Sequence, residues 1–321
     1  MFSHRLTILL SLAVFVLSGQ LAHAQAVARK ICEVNADGTG FRDLYFVPDN
    51  TSVGSPAFSP DGKTLALEVM IIGSAKGQFY ESGPAQSAIV TIPVSSLPVT
   101  AKDSRGLSID GPGQPGSQQN LGDGAIPSWS PGGHRLVSST LSGAGAFVMR
   151  ANGSDRIQLH PQGWSATWSP DGRMIAFLNR STNNQLQVYD MVEDEEFALE
   201  MPLFSNIQVG FAWSPDSSTI AFSGRDRKGK YLIAQVGVLN QNEYREVQPG
   251  VAARRISWHP DGSRLLYADV RRKPERLVTL AISEADAKPE LVPGIPDNLA
   301  ADVATWSPDG KKIVFVAAFS R

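Results

Sequence analysis

Ala166-Thr167-Trp168-Ser169-Pro170-Asp171-Gly172-Arg173 decides the fold, because the chain repeats this phrase. Related phrases occupy residues 56–63, 127–133, 211–217, 256–262 and 304–311, with Phe58, Trp129, Trp213, Trp258 and Trp306 at the aromatic position. Six copies therefore stand along the chain, and the steps between successive aromatics are 71, 39, 45, 45 and 48 residues. Periods of about 40–45 residues are typical of propeller blades of four strands.

The chemistry of the phrase is that of a hairpin turn. Pro presets φ for the first turn position, Asp can bond the backbone beyond it, and Gly adopts the left-handed conformation that closes it. Gly132 stands in place of the Asp and Ser217 in place of the Gly; a left-handed Ser217 costs on the order of 1 kcal/mol. Short β-rich runs follow, such as Leu65-Ala66-Leu67, Ile175-Ala176-Phe177 and Ile313-Val314-Phe315. The large aromatic supplies each blade with one bulky group to bury against its neighbour.

Every phrase but the last is followed by a second half-unit of two strands, for example Phe147-Val148-Met149-Arg150 or Leu277-Val278-Thr279-Leu280. The half missing from the C-terminal end stands at the other end, where Ile31-Cys32-Glu33-Val34-Asn35-Ala36-Asp37-Gly38 matches residues 148–154. The expected fold is all-β: a six-bladed β-propeller, closed by N-terminal strands that complete the C-terminal blade. Such closure leaves no open sheet edge at the seam.

At 42% hydrophobic and 19% charged, with a formal charge of −2, the chain is too apolar and too nearly neutral for disorder. The charge balance gives no reason to expect nucleic acid. Residues 1–24 read as a signal peptide: Arg5, a short apolar stretch, then Ala22-His23-Ala24 as the cleavage site. That stretch falls short of the ~20 residues a membrane span needs. Residues 25–321 are then the exported propeller, expected in the periplasm without a membrane span. Cys32, the single cysteine, sits in an apolar alternation and reads as a buried, inert thiol.

The Trp-Ser-Pro-Asp-Gly hairpins and the six-fold repeat resemble the TolB-type β-propeller family over residues 31–319. The resemblance implies the six-bladed fold, and related propellers serve as periplasmic interaction modules, peptidase gating domains and carbohydrate-active domains. The Tol–Pal member of the family carries an α/β domain before its propeller, whereas this chain enters a propeller strand almost directly.

Chemistry-bearing motifs are few. There is no H-E-x-x-H, G-x-S-x-G or P-loop, and His134, His160 and His259 fall on different blades. No catalytic residue, metal ligand or cofactor is expected. The hairpin aspartates read as turn formers rather than as acids or Ca²⁺ ligands. Charge placement says more. Arg225, Arg227, Lys228 and Lys230 fall between the second and third strands of one blade, and Arg271, Arg272 and Lys273 in the same loop of the next. Arg254 and Arg255 are assigned to the connection between those blades, and Arg29, Lys30 and Arg321 to the closing blade. Together they predict a basic sector on one face, opposite a face carrying Asp37, Glu193, Asp194, Glu195, Glu196, Glu284 and Asp286. Four residues before each aromatic stand Gly54, Ala125, Trp164, Val209, Arg254 and Asp302, of which Trp164, Arg254 and Asp302 are expected at the channel mouth. The long first step places a Gly/Pro-rich loop at residues 101–125.

The expected function is a non-catalytic, monomeric interaction module. Its basic sector would receive a periplasmic or envelope protein that presents an anionic surface. The alternative is a carbohydrate- or peptide-active enzyme with its site at the channel mouth.

Overall fold

The computed structural model describes residues 28–46, 51–71, 86–100, 119–201, 204–207, 210–240, 244–282 and 287–319. Residues 1–24, read above as a signal peptide, Val209, Glu284, Asp286, Arg321 and most of the 101–125 stretch lie outside them.

Six antiparallel sheets form the six blades of a β-propeller. Blade 1 is Thr51–Phe58, Thr64–Ile71, Gln86–Pro93 and Gln119–Asp123. Blade 2 is Ala125–Trp129, Arg135–Ser139, Ala146–Arg150 and Ile157–His160. Blade 3 is Gly163–Trp168, Met174–Asn179, Gln185–Asp190 and Glu195–Ala198. Blade 4 has a first strand in two parts, Phe204–Ile207 and Ala212–Trp213, then Thr219–Asp226, Tyr231–Gly237 and Tyr244–Pro249. Blade 5 is Ala253–Trp258, Arg264–Asp269, Arg276–Ala281 and Glu290–Leu291.

Blade 6 joins the two ends of the chain. Ala300–Trp306 and Lys312–Phe319 are followed in the sheet by Ala28–Asn35 and Arg42–Phe46. Ala28 pairs with Phe319 and the ladder continues unbroken to Asn35 opposite Lys312. Glu33, buried within this seam, receives Lys312 Nζ at 2.9 Å and Arg42 Nη2 at 3.0 Å. The Val99–Thr100 pair adds a short parallel strand along Tyr45 and Phe46.

The first strands of the blades touch one another in a complete ring and so line the central channel. Among the described residues the core divides into clusters seated between neighbouring sheets. Ile31, Leu44 and Val314 pack with Val53 and Leu65 between blades 6 and 1, while Cys32 and Val34 pack with Leu266 between blades 6 and 5. Successive residues of one strand thus serve opposite interfaces, which is why strands buried on both faces read as near-continuous apolar runs. Cys32 is buried, and that burial raises its thiol pKa well above the ordinary value, so the thiolate nucleophile is suppressed.

The repeated aromatics link blades as well as fill space. Trp129 Nε1 donates to the Ala57 carbonyl at 3.1 Å, Trp213 Nε1 to Thr167 at 3.2 Å, and Trp258 Nε1 to Ala212 at 3.1 Å. Each acceptor immediately precedes the aromatic of the preceding blade. Ser217 does take the left-handed conformation, with φ of 62°, and its Oγ accepts the Asp171 N–H of blade 3 at 3.0 Å. That inter-blade bond, worth about 1 kcal/mol, offsets the conformational cost of a non-glycine residue there.

The hairpin aspartates form turns. Asp61 Oδ1 accepts from Ser59 Oγ at 2.6 Å and from the Lys63 N–H at 3.1 Å, and Asp216 and Asp309 repeat this in blades 4 and 6. The serine hydroxyl and then the backbone N–H hold all three carboxyls below the usual value of 3.8. A folded-state pKa depressed in this way contributes stability that is present above the unfolded value and lost as pH falls through the folded one. Urea unfolding from pH 7 to pH 3 should therefore show wild type losing its advantage over an Asp61→Asn, Asp216→Asn, Asp309→Asn variant below about pH 4. Parallel stability curves would rule the turn carboxylates out as the acid-sensitive element.

Two sequence assignments are corrected. Arg254 and Arg255 lie in the first strand of blade 5, not in the connection before it, because a bulge lengthens that strand at the N-terminal side of the repeated phrase. The 101–125 region ends in the fourth strand of blade 1 and the start of blade 2, so the excursion leaves from the connection between the third and fourth strands.

Candidate functional site at the channel mouth

The first strand of every blade carries a bulge or break just before its aromatic. Register shifts fall at Gly54/Ala57, Ala125/Ser128, Trp164/Thr167, Arg254/Ser257 and Ala301/Ala304. Three residues before the aromatic, Ser55, Ile126, Ser165 and Arg255 have positive φ of 49–57°, and Gly210 has φ of 105°. A bulge re-aims a side chain that regular pleating would point into an inter-blade core. Here it turns the strand toward the channel.

Arg255 uses that turn to cross the channel. Its Nη2 donates to Ser55 Oγ of blade 1 at 2.9 Å, and Ser55 Oγ donates to Glu68 Oε2 at 2.8 Å. Glu68 Oε2 also accepts the Ile126 N–H of blade 2 at 3.4 Å, so blades 1 and 2 meet at one carboxylate and Arg255 of blade 5 joins them through Ser55. Burial lowers the Arg255 pKa, and the nearby charges of Glu68 and Asp302 act against that shift. Arg254 Nη1 lies 2.9 Å from Asp302 Oδ2 of blade 6, while the buried Asp302 Oδ1 makes no hydrogen bond among the described residues. Two guanidinium groups and two carboxylates thus balance at the mouth.

The remaining expected residues ring this centre. Trp164 is half-buried against the core between blades 3 and 4, with the Arg180 guanidinium 3.9 Å above its ring. Arg225 is exposed, lies 4.3 Å from the Tyr231 ring centroid and bonds its hydroxyl. Arg227, Lys228 and Lys230 are exposed. Arg271 and Arg272 both turn back on Asp269, at 3.6 Å and 3.2 Å. Ala125 is fully buried, and Lys30 pairs with Asp43 at 2.7 Å. On the opposite face Asp37 accepts from Thr39, Glu193 lies 3.6 Å from Arg173, and Tyr189 donates to Asp194. His160 lies tilted against Phe177 and His259 meets Trp306 edge-on, and no group of three or more metal-type ligands occurs among the described residues.

Glu68 escaped the sequence reading, although a signal existed: it is an acid inside the apolar run Leu65-Ala66-Leu67-Glu68-Val69. Arg180 escaped it as a lone cation in a short loop.

A TolB-like protein from Agrobacterium tumefaciens superposes with a TM-score of 0.65 over 92% of this chain and 99% of that one, at 16% identity. The fold is that of the TolB-type propeller. TolB from Acinetobacter baumannii matches with a TM-score of 0.54 at 16% identity, covering 91% of this chain and 65% of that one. The propeller domain of the trilobed protease from Pyrococcus furiosus, which has an open velcro topology, matches at 0.50 with 13% identity over 85% and 80% of the two chains. The propeller described here differs from that domain in being latched by strands from both chain ends. No family model and no curated protein matches the sequence. Among the described residues no helix is long and apolar enough to cross a membrane.

Proposed function

We propose that this TolB-type propeller is a periplasmic, non-catalytic interaction module whose channel-mouth face docks an envelope protein through an anionic surface. The signal-peptide pattern of residues 1–24 supports export. The observation that carries the docking face is the division of its cations. Arg254, Arg271 and Arg272 are held by carboxylates of the propeller and Arg255 by the Ser55 hydroxyl, whereas the side chains of Arg227, Lys228 and Lys230 stand exposed with no ion pair among the described residues, Asp226 accepting only the backbone N–H groups of Lys228 and Lys230. Unpaired cations of one sign speed encounter and select partners, while the paired set keeps the mouth in shape. Trp164 and Arg225 complete the surface a partner would meet, and the buried Asp302 holds Arg254 beneath it.

Affinity capture from a cell-envelope extract tests the reading. Changing Arg227, Lys228 and Lys230 to Glu should reduce the captured partner at least tenfold and remove the salt dependence of capture. Equal capture by wild type and variant at low salt, or turnover of a carbohydrate or peptide panel, would overturn it.

A further inference from the structure

Two neighbouring blades expose apolar side chains at their outer junction, on the face opposite the channel mouth. Ile157, which opens the fourth strand of blade 2, is 69% exposed. Val192, in the turn between the third and fourth strands of blade 3, is 71% exposed.

Strand register directs Ile157 toward blade 3. It pairs with Val148, so the two side chains share a sheet face, and Val148 packs in the cluster between blades 2 and 3. Leu159 of the same strand packs partly buried on that cluster, as do Tyr189 and Met191 from blade 3. His160 Nε2 lies 3.9 Å from Glu196 Oε1, so the outer strands of the two blades meet here. Ile157, Leu159, Tyr189, Met191 and Val192 thus border one junction.

The turn that presents Val192 is held in place. Asp190 Oδ1 accepts the Val192 and Glu193 N–H groups at 2.9 Å and 3.1 Å, and Arg173 Nε donates to Asp190 Oδ2 at 2.9 Å. One backbone bond aligns this turn with those of other blades: Met191 N–H to Arg173 matches Ala151 to His134 and Ala36 to Lys311. The residue after it is Val192 in blade 3, but Asn152 in blade 2 and Asp37 in blade 6, each of which bonds its own turn. Valine makes no such bond and is left facing solvent. An exposed apolar group with no part in its own turn marks an interaction surface once others adjoin it.

Charge selects the occupant. Residues 189–200 hold six carboxylates and no lysine, arginine or histidine. Asp190 and Glu193 meet Arg173. Asp194, bonded by the Tyr189 hydroxyl, and Glu196, in register with Tyr189, border the apolar junction and meet no lysine or arginine among the described residues. The exposed loop Arg227–Lys230 contains no large apolar residue, so a second copy docking through it would leave Ile157 and Val192 uncovered.

We infer that this junction is a second docking surface, whose occupant is a basic, extended segment of a partner protein. Its large apolar side chains cover Ile157 and Val192, and its lysines or arginines meet Asp194 and Glu196. The surface lies across the disc from the channel mouth and does not depend on what docks there.

The test uses the full chain, labelled with ¹⁵N, and the acetylated, amidated peptide Lys-Leu-Lys-Phe-Lys followed by NMR. Saturable shifts are expected at the Ile157, Val192 and Glu196 amides. The peptide Lys-Ala-Lys-Ala-Lys should bind about tenfold more weakly, as should the Ile157→Ser/Val192→Ser variant with the original peptide. Asp194→Asn/Glu196→Gln should weaken binding about fivefold at low salt, and that difference should vanish in about 0.5 M NaCl. Leu239→Ser, at the matching turn position of blade 4, should leave binding unchanged. Because the peptide changes leave the protein intact, they decide the matter even where a variant loses stability. Equal binding of the two peptides, indifference to the charge variant, absence of saturable shifts, or shifts confined to another face would overturn the inference. So would sedimentation showing a dimer that Val192→Ser abolishes, or adsorption to phosphatidylcholine vesicles with no peptide effect.

Discussion

A chain that begins at Thr51, without Ala28–Asn35 and Arg42–Phe46, is expected to lose its cooperative unfolding transition and to aggregate. The two strands bring Ile31, Cys32, Val34, Leu44 and Tyr45 into the clusters on both sides of blade 6, each at 2% exposure or less. At about 1.5–3 kcal/mol per large apolar side chain, their removal withdraws roughly 10 kcal/mol. The entire stability of a typical domain is about 5–15 kcal/mol. Truncation also strips the ladder from Lys312–Phe319, leaving an apolar edge strand that invites pairing between molecules. Glu33 adds specificity to the seam, since Lys312 from one chain end and Arg42 from the other converge on it. Circular dichroism melting with size-exclusion chromatography reads the outcome, and a synthetic 28–46 peptide added in trans should restore a soluble, cooperative form. An unchanged melting midpoint in the truncated chain would show that the ring does not depend on its latch.

Gly210→Ala is expected to destabilise the protein by about 3 kcal/mol or more, placing it among the severe single substitutions. Gly210 has φ of 105°, beyond the left-handed well that other residues enter with difficulty. A Cβ there would also lie 2.7 Å from the Arg255 backbone nitrogen and 3.0 Å from its Cδ. The neighbour is backbone of the next blade, fixed by the bond from the Ile256 N–H to the Gly210 carbonyl at 3.0 Å, so it cannot move aside cheaply. Displacement would carry Arg255 away from Ser55 and loosen the charge network spanning the channel. Gly229→Ala is the control: its φ is 81° and nothing lies within 4 Å, so only the conformational cost of about 1 kcal/mol applies. Denaturant unfolding of both variants decides the matter. Equal losses would mean that the close approach of two blades is not what requires glycine at position 210.

The blades and their latch were legible because hairpin chemistry is local. Pro, Asp and Gly act within one turn, and Asp61, Asp216 and Asp309 make the same bonds wherever the phrase recurs. The site was only partly legible. Arg254 and Asp302 could be picked out by their offset from the aromatic, yet their mutual pairing joins residues 48 apart in sequence. Arg255 and Ser55 are 200 apart. No local pattern encodes which blade faces which across a channel, nor that one basic loop is neutralised while its neighbour is not. The corrected position of Arg254 and Arg255 has the same origin: a bulge continues the strand past the point where the alternation of apolar residues stops.

The repeat, the turns, the number of blades and the joining of the two chain ends can be read along the chain, because each follows from short-range backbone preference and side-chain alternation. Ring closure alone makes Glu68 the acceptor for groups of blades 1 and 2 and brings Arg255 of blade 5 to Ser55 beside it, while the fold of its loop lets Asp269 occupy Arg271 and Arg272. Closure brings distant strands within hydrogen-bonding range and sets charge against charge by geometry rather than by order along the chain.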